Sequence, residues 1–423
     1  MSLTRRAKVV FAVLALASIV GTAFALSSRL REEAALTSRE FACEARREPS
    51  SLSLPLSPAG RSNILQALAR YDSAKPLRAS DHFHRWCFDS LKGSYSVNSQ
   101  LQRDVNHLLL QSSFRRTFPG SSPLVFRSAY GWEVRQRTPQ NAREHREYEH
   151  HIDQFLATCA QIGAPLSLRI ESDFGRVSIG ELLEASRRSF DNSQELCWTL
   201  VAYCSYLPEE PEWENRFGER CSFESIVKDL LSLPLERGSC GGTHKQFALA
   251  YFLASSAATR LDEDLLRQCE DYLARSSKIL EGSQLPNGAW DPRWATSVAT
   301  ASGTPDGLPI RGADLVRITG HQLEWVGIAP GACRPPVACT SRAIHFLVEV
   351  LDRAEVGAIQ KEFCAYSHAA CVLQRTLCPI HNPQLSKGTA TTVDEQSAGD
   401  ISLFFTTREG SRDEAQTPWT GSQ

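Results

Sequence analysis

Two short segments of this chain combine residue types that can do chemistry. Gly238-Ser-Cys-Gly-Gly-Thr-His244 sets Cys240 and His244 four residues apart, so that on a first helical turn a thiolate and an imidazole share one side. That pairing is half of a zinc site, since zinc in proteins takes sulfur and imidazole ligands in sets of three or four. The double glycine admits close approach of backbone or ligand, and Thr243 is also placed to cap a helix. In Thr319-Gly-His-Gln-Leu-Glu-Trp325, His321 and Glu324 are three apart and share a helix face. A carboxylate beside an imidazole orients it and raises its pKa, which suits acid-base work near neutrality. The plainer reading of that segment is a polar helix start whose His and Glu satisfy each other and the backbone. If both segments open helices of one inner ring, His244 and His321 point into a common cavity. Trp198 and Trp325 either line it or fill core.

Two other segments look metal-like only in composition. Asp81-His-Phe-His-Arg-Trp86 and Glu144-His-Arg-Glu-Tyr-Glu-His-His151 lack finger-type ligand spacing, and the second reads as a charged helix face. Asp262-Glu-Asp264 starts a helix, where acidic residues favour the positive end of the dipole.

The elements that must hold these residues are helices of two alternating kinds. Ile179, Leu182, Leu183 and Phe190 recur at helical spacing between charged residues, with Ser178 and Glu181 forming a capping box. The next segment, Glu195 to Leu207, is apolar around nearly its whole circumference. Ser222–Leu233 and Asp262–Leu280 repeat the amphipathic kind, His244–Ala258 and Thr319–Ala329 the apolar kind, and Ser341–Leu351 and Phe363–Leu373 add one more of each. Alternation of half-exposed and fully buried helices predicts an all-α fold, an α/α toroid (α/α barrel) with inner and outer rings. A solenoid would show a tighter repeat than these spacings of roughly 45 to 75 residues. Strand signals are scarce, Leu166 to Ile170 being the best. The loop Asp291 to Arg317 reads as a lid, a rim segment or a surface excursion.

Gln284-Leu-Pro-Asn-Gly-Ala-Trp290 resembles the Gln-x-Gly-x-Trp signature of the terpenoid cyclase and protein prenyltransferase toroids. In those families the Gln and Trp clamp an outer helix to its neighbour, which implies a structural role for Gln284, Gly288 and Trp290. The families' acidic catalytic motifs are missing, so terpene cyclisation is not expected. The Gly320-His321…Glu324 stretch also resembles the Gly-His-x-x-Glu segment of the N-acylglucosamine and cellobiose epimerases, which implies His321 in a sugar pocket; no other epimerase motif is evident. Lanthipeptide cyclases are zinc toroids that use two Cys and a His. Cys240 and His244 could supply two of those ligands, and the sequence does not identify the third.

Three functional readings follow: a toroid that binds a small molecule or glycan in its cavity, an isomerase or hydrolase acting on a sugar through His321 and Glu324, and a zinc-dependent toroid using Cys240 and His244. Net charge of −2 with scattered Lys and Arg gives no basic stripe, so nucleic acid is not an expected partner.

At the N-terminus Arg5, Arg6 and Lys8 precede a charge-free apolar stretch, Val9 to Leu26. Its eighteen residues would span about 27 Å as a helix, close to a bilayer core, with the positive flank inside. Ala23-Phe24-Ala25 offers a cleavage site. The expected organisation is a signal anchor or signal peptide over 1–28, a tether over 29–60, the toroid over 61–380 and a polar tail over 381–423, with the bulk of the chain extracytoplasmic, anchored to the membrane or secreted. Of the thirteen cysteines, most read as small buried hydrophobes, while Cys333 and Cys339 form the one pair placed for a disulfide.

Overall fold

The computed structural model describes residues 52, 56–92, 124–129, 131–135, 149–296 and 311–377. The expected anchor over 1–28, most of the tether and the tail from 381 lie outside the described residues. Among the described residues no helix is long and apolar enough to cross a membrane.

The protein is mostly helical. In chain order the elements are α1 (Pro58–Ser73), α2 (Ala79–Leu91), the hairpin β1–β2 (Val125–Ser128, Gly131–Val134), α3 (Gln154–Gln161), the hairpin β3–β4 (Arg169–Ser172, Gly175–Ser178), α4 (Ile179–Ser189), α5 (Leu196–Tyr206), the hairpin β5–β6 (Glu212–Glu214, Arg220–Ser222), α6 (Phe223–Ser232), α7 (Thr243–Ala254), α8 (Glu263–Ser283), α9 (Gly312–Ile328), α10 (Val337–Arg353), α11 (Val356–Lys361) and α12 (Phe363–Leu377). The three antiparallel hairpins are elements that the search for apolar alternation largely misses, because each strand has only three or four residues.

The two kinds of helix are real in burial. Every residue of α5 is buried, as are Thr243 to Phe252 of α7. By contrast α4 buries only Ile179, Leu182 and Leu183, and α8 buries a stripe through Leu265, Cys269, Tyr272, Leu273 and Leu280. Ser178 accepts a hydrogen bond from the Glu181 amide at 3.1 Å while the Glu181 carboxylate accepts from the Ser178 amide at 2.7 Å, so α4 starts where its capping residues put it. The buried helices pack in a circuit: α2 on α3, α3 on α5, α5 on α7, α7 on α9, α9 on α12, and α12 back on α2. The amphipathic helices pack behind them, α1 on α10 and α12, α6 on α5 and α8, α8 on α7 and α10 on α9.

The Gln284 loop ties this second layer together. Its amide donates to the Gly288 carbonyl at 2.9 Å and to the Cys339 carbonyl on α10 at 2.8 Å, and the Trp290 indole donates to the Leu280 carbonyl of α8 at 2.8 Å. Gly288 has φ +88°, and a Cβ there would sit 2.4 Å from the Arg342 carbonyl oxygen, so no other residue fits.

Three expectations need correction. Cys333 and Cys339 are free thiols: Cys333 sits in the short turn before α10 and its thiol points to the Glu270 carbonyl, whereas Cys339 lies inside α10. The helix carrying His321 begins at Gly312 rather than Thr319, extended by an apolar run through Leu315, Val316 and Ile318 and by Asp314 paired with Arg311 and Arg317 in its first turns. His321 is therefore a mid-helix residue, and the segment expected as a loop from Asp291 to Arg317 is a turn, then residues 297–310 outside the described set, then helix. Finally, the first helix begins at Pro58, and Leu52 is already buried, with its side chain against Gly327 of α9, so the expected tether meets the core before residue 60.

Candidate functional site

Five histidines from different parts of the chain meet where the buried helices converge. Ring centroids of His151 and His244 are 4.7 Å apart, those of His244 and His321 4.8 Å, His321 and His368 3.6 Å, and His368 and His84 4.6 Å. His84 is on α2, His151 just precedes α3, His244 is on the first turn of α7, His321 is on α9 and His368 on α12.

Two carboxylates organise the row. Glu195, at the start of α5, accepts from Nδ1 of His151 at 2.8 Å and lies 3.4 Å from Nδ1 of His244. Glu324, one turn beyond His321 on α9, lies 3.2 Å from Nδ1 of His321 and 2.9 Å from Nδ1 of His368. Each carboxylate thus fixes the tautomer and ring orientation of two imidazoles and leaves Nε2 of each facing away from it. The Nε2 of His321 is buried and has no hydrogen-bond partner.

Cys240 stands opposite. Its sulfur and one ring nitrogen each of His244 and His321 lie within 4.8 Å of one another. The turn that brings it there is unusual: Cys240 has φ +52°, a left-handed conformation uncommon for a residue with a side chain, followed by Gly241 at +66° and Gly242 at +83°. Both glycines are required by contact as well as by φ. A Cβ on Gly242 would lie 1.9 Å from the Leu235 carbonyl oxygen, and one on Gly241 would lie 2.8 Å from that of Pro292. Thr243 does not cap α7. Its hydroxyl turns back to donate to the Cys240 carbonyl at 3.0 Å, and the Trp294 indole donates to the Gly241 carbonyl at 2.9 Å, so the turn is held from both sides.

A second sulfur faces the other end of the row. Cys364, in the first turn of α12, lies 3.7 Å from Nε2 of His368, and Cys364, His368 and His84 form another group with ligand atoms within 4.8 Å. The approach of α12 to α9 that unites these residues depends on Gly320, where a Cβ would come within 2.7 Å of the His368 Cβ and 3.0 Å of the Ala369 amide nitrogen. A cavity of about 50 Å³ adjoins this end, lined by His84, Glu324, His368, Trp198 and Phe247 among others. At about 30 Å³ per liquid water that is room for one or two waters.

The electrostatics divide the cluster. Burial pushes the Cys240 thiol up, but the adjacent His321 and His244 imidazoles outweigh it and hold the thiol well below its ordinary value. Burial opposes a charge on His244 and His321, yet the Cys240 thiolate and the carboxylate behind each ring raise both. Burial likewise would lift Glu324 and Glu195, and the histidines they hold bring both down. At the other end burial prevails: His84 and His368 are lowered and stay neutral, and burial lifts the Cys364 thiol.

Of the residues singled out from sequence, Cys240, His244, His321 and Glu324 are brought together. Trp198 adjoins them, its ring 5.1 Å from that of His244. Trp325 is fully buried and donates to Gln322 on its own helix at 2.6 Å, a core placement. His84, His151, Glu195, Cys364 and His368 are the residues that sequence reasoning missed. His84 and His151 lie in the two segments set aside as metal-like in composition only, and His151 sits in the cluster rather than on a charged helix face. The rest of that second segment up to Tyr148 lies outside the described residues. Cys364 was expected as a small buried hydrophobe; it repeats, with His368, the Cys-x-x-x-His spacing of Cys240 and His244, which is the one signal that could have found it.

Compared with family models, curated proteins and solved structures, the chain has no match.

Proposed function

We propose that this chain is a zinc-dependent enzyme of α/α-toroid architecture, with the metal held at the centre of the inner ring by Cys240, His244 and His321. One observation carries the reading: a thiol and two imidazoles converge within 4.8 Å of one another, while the far nitrogen of each imidazole is held by a carboxylate and the near nitrogen of His321 is buried without a partner. Backing of a ligand histidine by a carboxylate is the usual outer support of zinc sites, and three protein ligands leave a fourth position for water or substrate. Zinc bound there would supply Lewis-acid activation of a water or a carbonyl.

The chain's own residues do the rest. Glu195 and Glu324 fix the rings, the left-handed turn presents the sulfur, and the buried walls exclude bulk water. The circuit of six buried helices, α2, α3, α5, α7, α9 and α12, supports the toroid, and the Gln284–Trp290 clamp is consistent with the scaffold of the cyclase and prenyltransferase families without their chemistry. The substrate in this reading is a small molecule or the end of a glycan reaching the ring centre. A membrane anchor over Val9–Leu26 would set the domain outside the cytoplasm. Acid-base chemistry on a sugar by His321 and Glu324 alone is less well supported, because Glu324 is already engaged by Nδ1 of both His321 and His368.

Metal analysis of the purified chain tests this directly. At least one zinc per chain is expected, with one equivalent lost in Cys240→Ser and in His321→Gln. A folded, metal-free chain in which iodoacetamide modifies Cys240 rapidly at neutral pH would replace the zinc reading with a cysteine nucleophile.

A further inference from the structure

We infer that the cluster holds a second metal ion, on His84, Cys364 and His368, so that the centre is binuclear with Glu324 between its halves. The inference rests on the zinc reading for the first position and adds a site built from other residues.

The second set repeats the first in its essentials. Each has one sulfur and two imidazoles with ligand atoms within 4.8 Å of one another. In each, Cys and His are four residues apart, Cys240 with His244 and Cys364 with His368, and the third ligand comes from a neighbouring buried helix, His321 from α9 in one case and His84 from α2 in the other. Glu324 gives the two halves a common support. One oxygen lies near Nδ1 of His321 at 3.2 Å, and both oxygens approach Nδ1 of His368 at 2.9 and 3.0 Å. The carboxylate leaves Nε2 of both rings free of it, and Nε2 of His368 lies 3.7 Å from the Cys364 sulfur. That separation fits a thiol–imidazole hydrogen bond and equally two ligands of one ion, since Zn–S near 2.3 Å and Zn–N near 2.0–2.1 Å place S and N about 3.5 Å apart in a tetrahedron.

A small cavity lined by His84, Glu324 and His368, and by Cys371 rather than Cys364 on α12, adjoins the group.

Cobalt(II) titration of the chelator-treated full chain reads both positions, because thiolate–cobalt charge transfer reports each sulfur. Wild type should take up two equivalents, with charge-transfer absorbance rising over both. Cys364→Ser should take up one equivalent and keep only the first increment, and Cys240→Ser should likewise lose one. Saturation of wild type at one equivalent, unchanged in Cys364→Ser, would overturn the second site and leave the first standing. Uptake of none by a folded chain would remove both. If Cys364→Ser does not give a cooperative melt, His84→Gln removes another ligand of the same position, on α2, and retention of two equivalents there also overturns the inference.

Discussion

The two Cys-x-x-x-His turns share a spacing and differ in almost everything else. Cys240 stands outside the regular helix, on a left-handed residue followed by two glycines, and the sulfur is aimed by the turn itself. Cys364 lies inside the first turn of α12, with ordinary helical geometry, and is aimed by the packing of α12 against α9 and α2. The surroundings differ in sign. Cys240 faces two imidazoles, each backed by a carboxylate, which draw its thiol down. Cys364 is governed by burial, with carboxylates of Asp81 and Glu324 adding to the upward push. Equal spacing in sequence therefore gives a thiol drawn down by its imidazole neighbours in one place and a thiol pushed up by burial in the other, and a metal would have to displace protons at both, from the raised His244 and His321 rings in the first and from the thiol in the second.

The largest test of that contrast is Gly242→Ala. The new Cβ would overlap the Leu235 carbonyl oxygen at 1.9 Å in a conformation of φ +83°, so relief requires the Cys240 turn to open. The expected loss is about 3–5 kcal/mol, read as a lower urea midpoint, together with loss of the first metal equivalent. Gly282→Ala is the control: nothing lies within 4 Å of its Cβ in a helical position, and a change within about 1 kcal/mol, in the stabilising direction, is expected. An unaltered midpoint in Gly242→Ala would mean that the turn is not fixed by its glycines.

Asp81 sharpens the Cys364 side. Burial lifts its carboxyl to about 6, although it accepts hydrogen bonds from the Leu77 and Arg78 amides at 3.1 and 3.0 Å. A carboxyl raised in the folded state binds its proton more tightly than in the unfolded chain. The folded chain thus loses stability as pH rises from about 4 to about 6, by about 3 kcal/mol in all, and no more above that. Asp81→Asn keeps an oxygen for the two amides, since both go to the same Oδ2, and should flatten that slope. Urea midpoints of the chelated protein at pH 5 and pH 7 measure it; an equal slope in wild type and Asp81→Asn would show that this carboxyl ionises freely.

Much of the first half of the site is legible in sequence, and the second half hardly at all. Cys240 with His244, and His321 with Glu324, are local pairs at helical spacing, so one turn of geometry suffices to put them on one side. Likewise the alternation of half-exposed and fully buried helices is a property of each segment by itself. His84, His151, Glu195, Cys364 and His368 join only because α12 returns to α2 and Gly320 lets α9 and α12 touch, contacts spanning 44 residues for His368 with Glu324 and for His151 with Glu195. No local pattern encodes that closure. The early start of α9 was missed for a related reason: its first turns are stabilised by Asp314 pairing with Arg311 and Arg317, a charge pattern that in isolation reads as loop.

Between the two halves stands Glu324, and its replacement by Gln separates their dependence on it from their dependence on Glu195. Glutamine keeps the size but removes the negative charge and replaces one of the two accepting oxygens with an NH₂, leaving a single neutral oxygen to serve Nδ1 of both His321 and His368. Loss of such outer support typically lowers metal affinity by about 10–100-fold, and both positions should weaken. Glu195→Gln touches only the first position, through the longer 3.4 Å contact to His244, and a decrease nearer the lower end of that range is expected there with the second unaffected. Competition with a chelator of known affinity, read separately at the two increments of cobalt absorbance, distinguishes these outcomes. Equal effects of the two substitutions on the first position alone would remove Glu324 from its bridging place.

The smallest effect belongs to the clamp, which lies outside both halves. Gln284→Ala deletes the amide's hydrogen bonds to the carbonyls of Gly288 and Cys339 and its acceptor for Arg342. Net contributions near 1 kcal/mol per neutral bond, with partial exposure of the loop, predict a loss of about 1–2 kcal/mol. Because the neighbouring Trp290 amide donates to Thr319 on α9 and Trp294 holds the Gly241 carbonyl, any transmitted movement would reach the Cys240 turn and not Cys364. A lower urea midpoint with both cobalt increments intact would mark the clamp as a support of the helix layers alone. Selective weakening of the first increment would instead show that the Cys240 turn is held in place from as far away as α8 and α10.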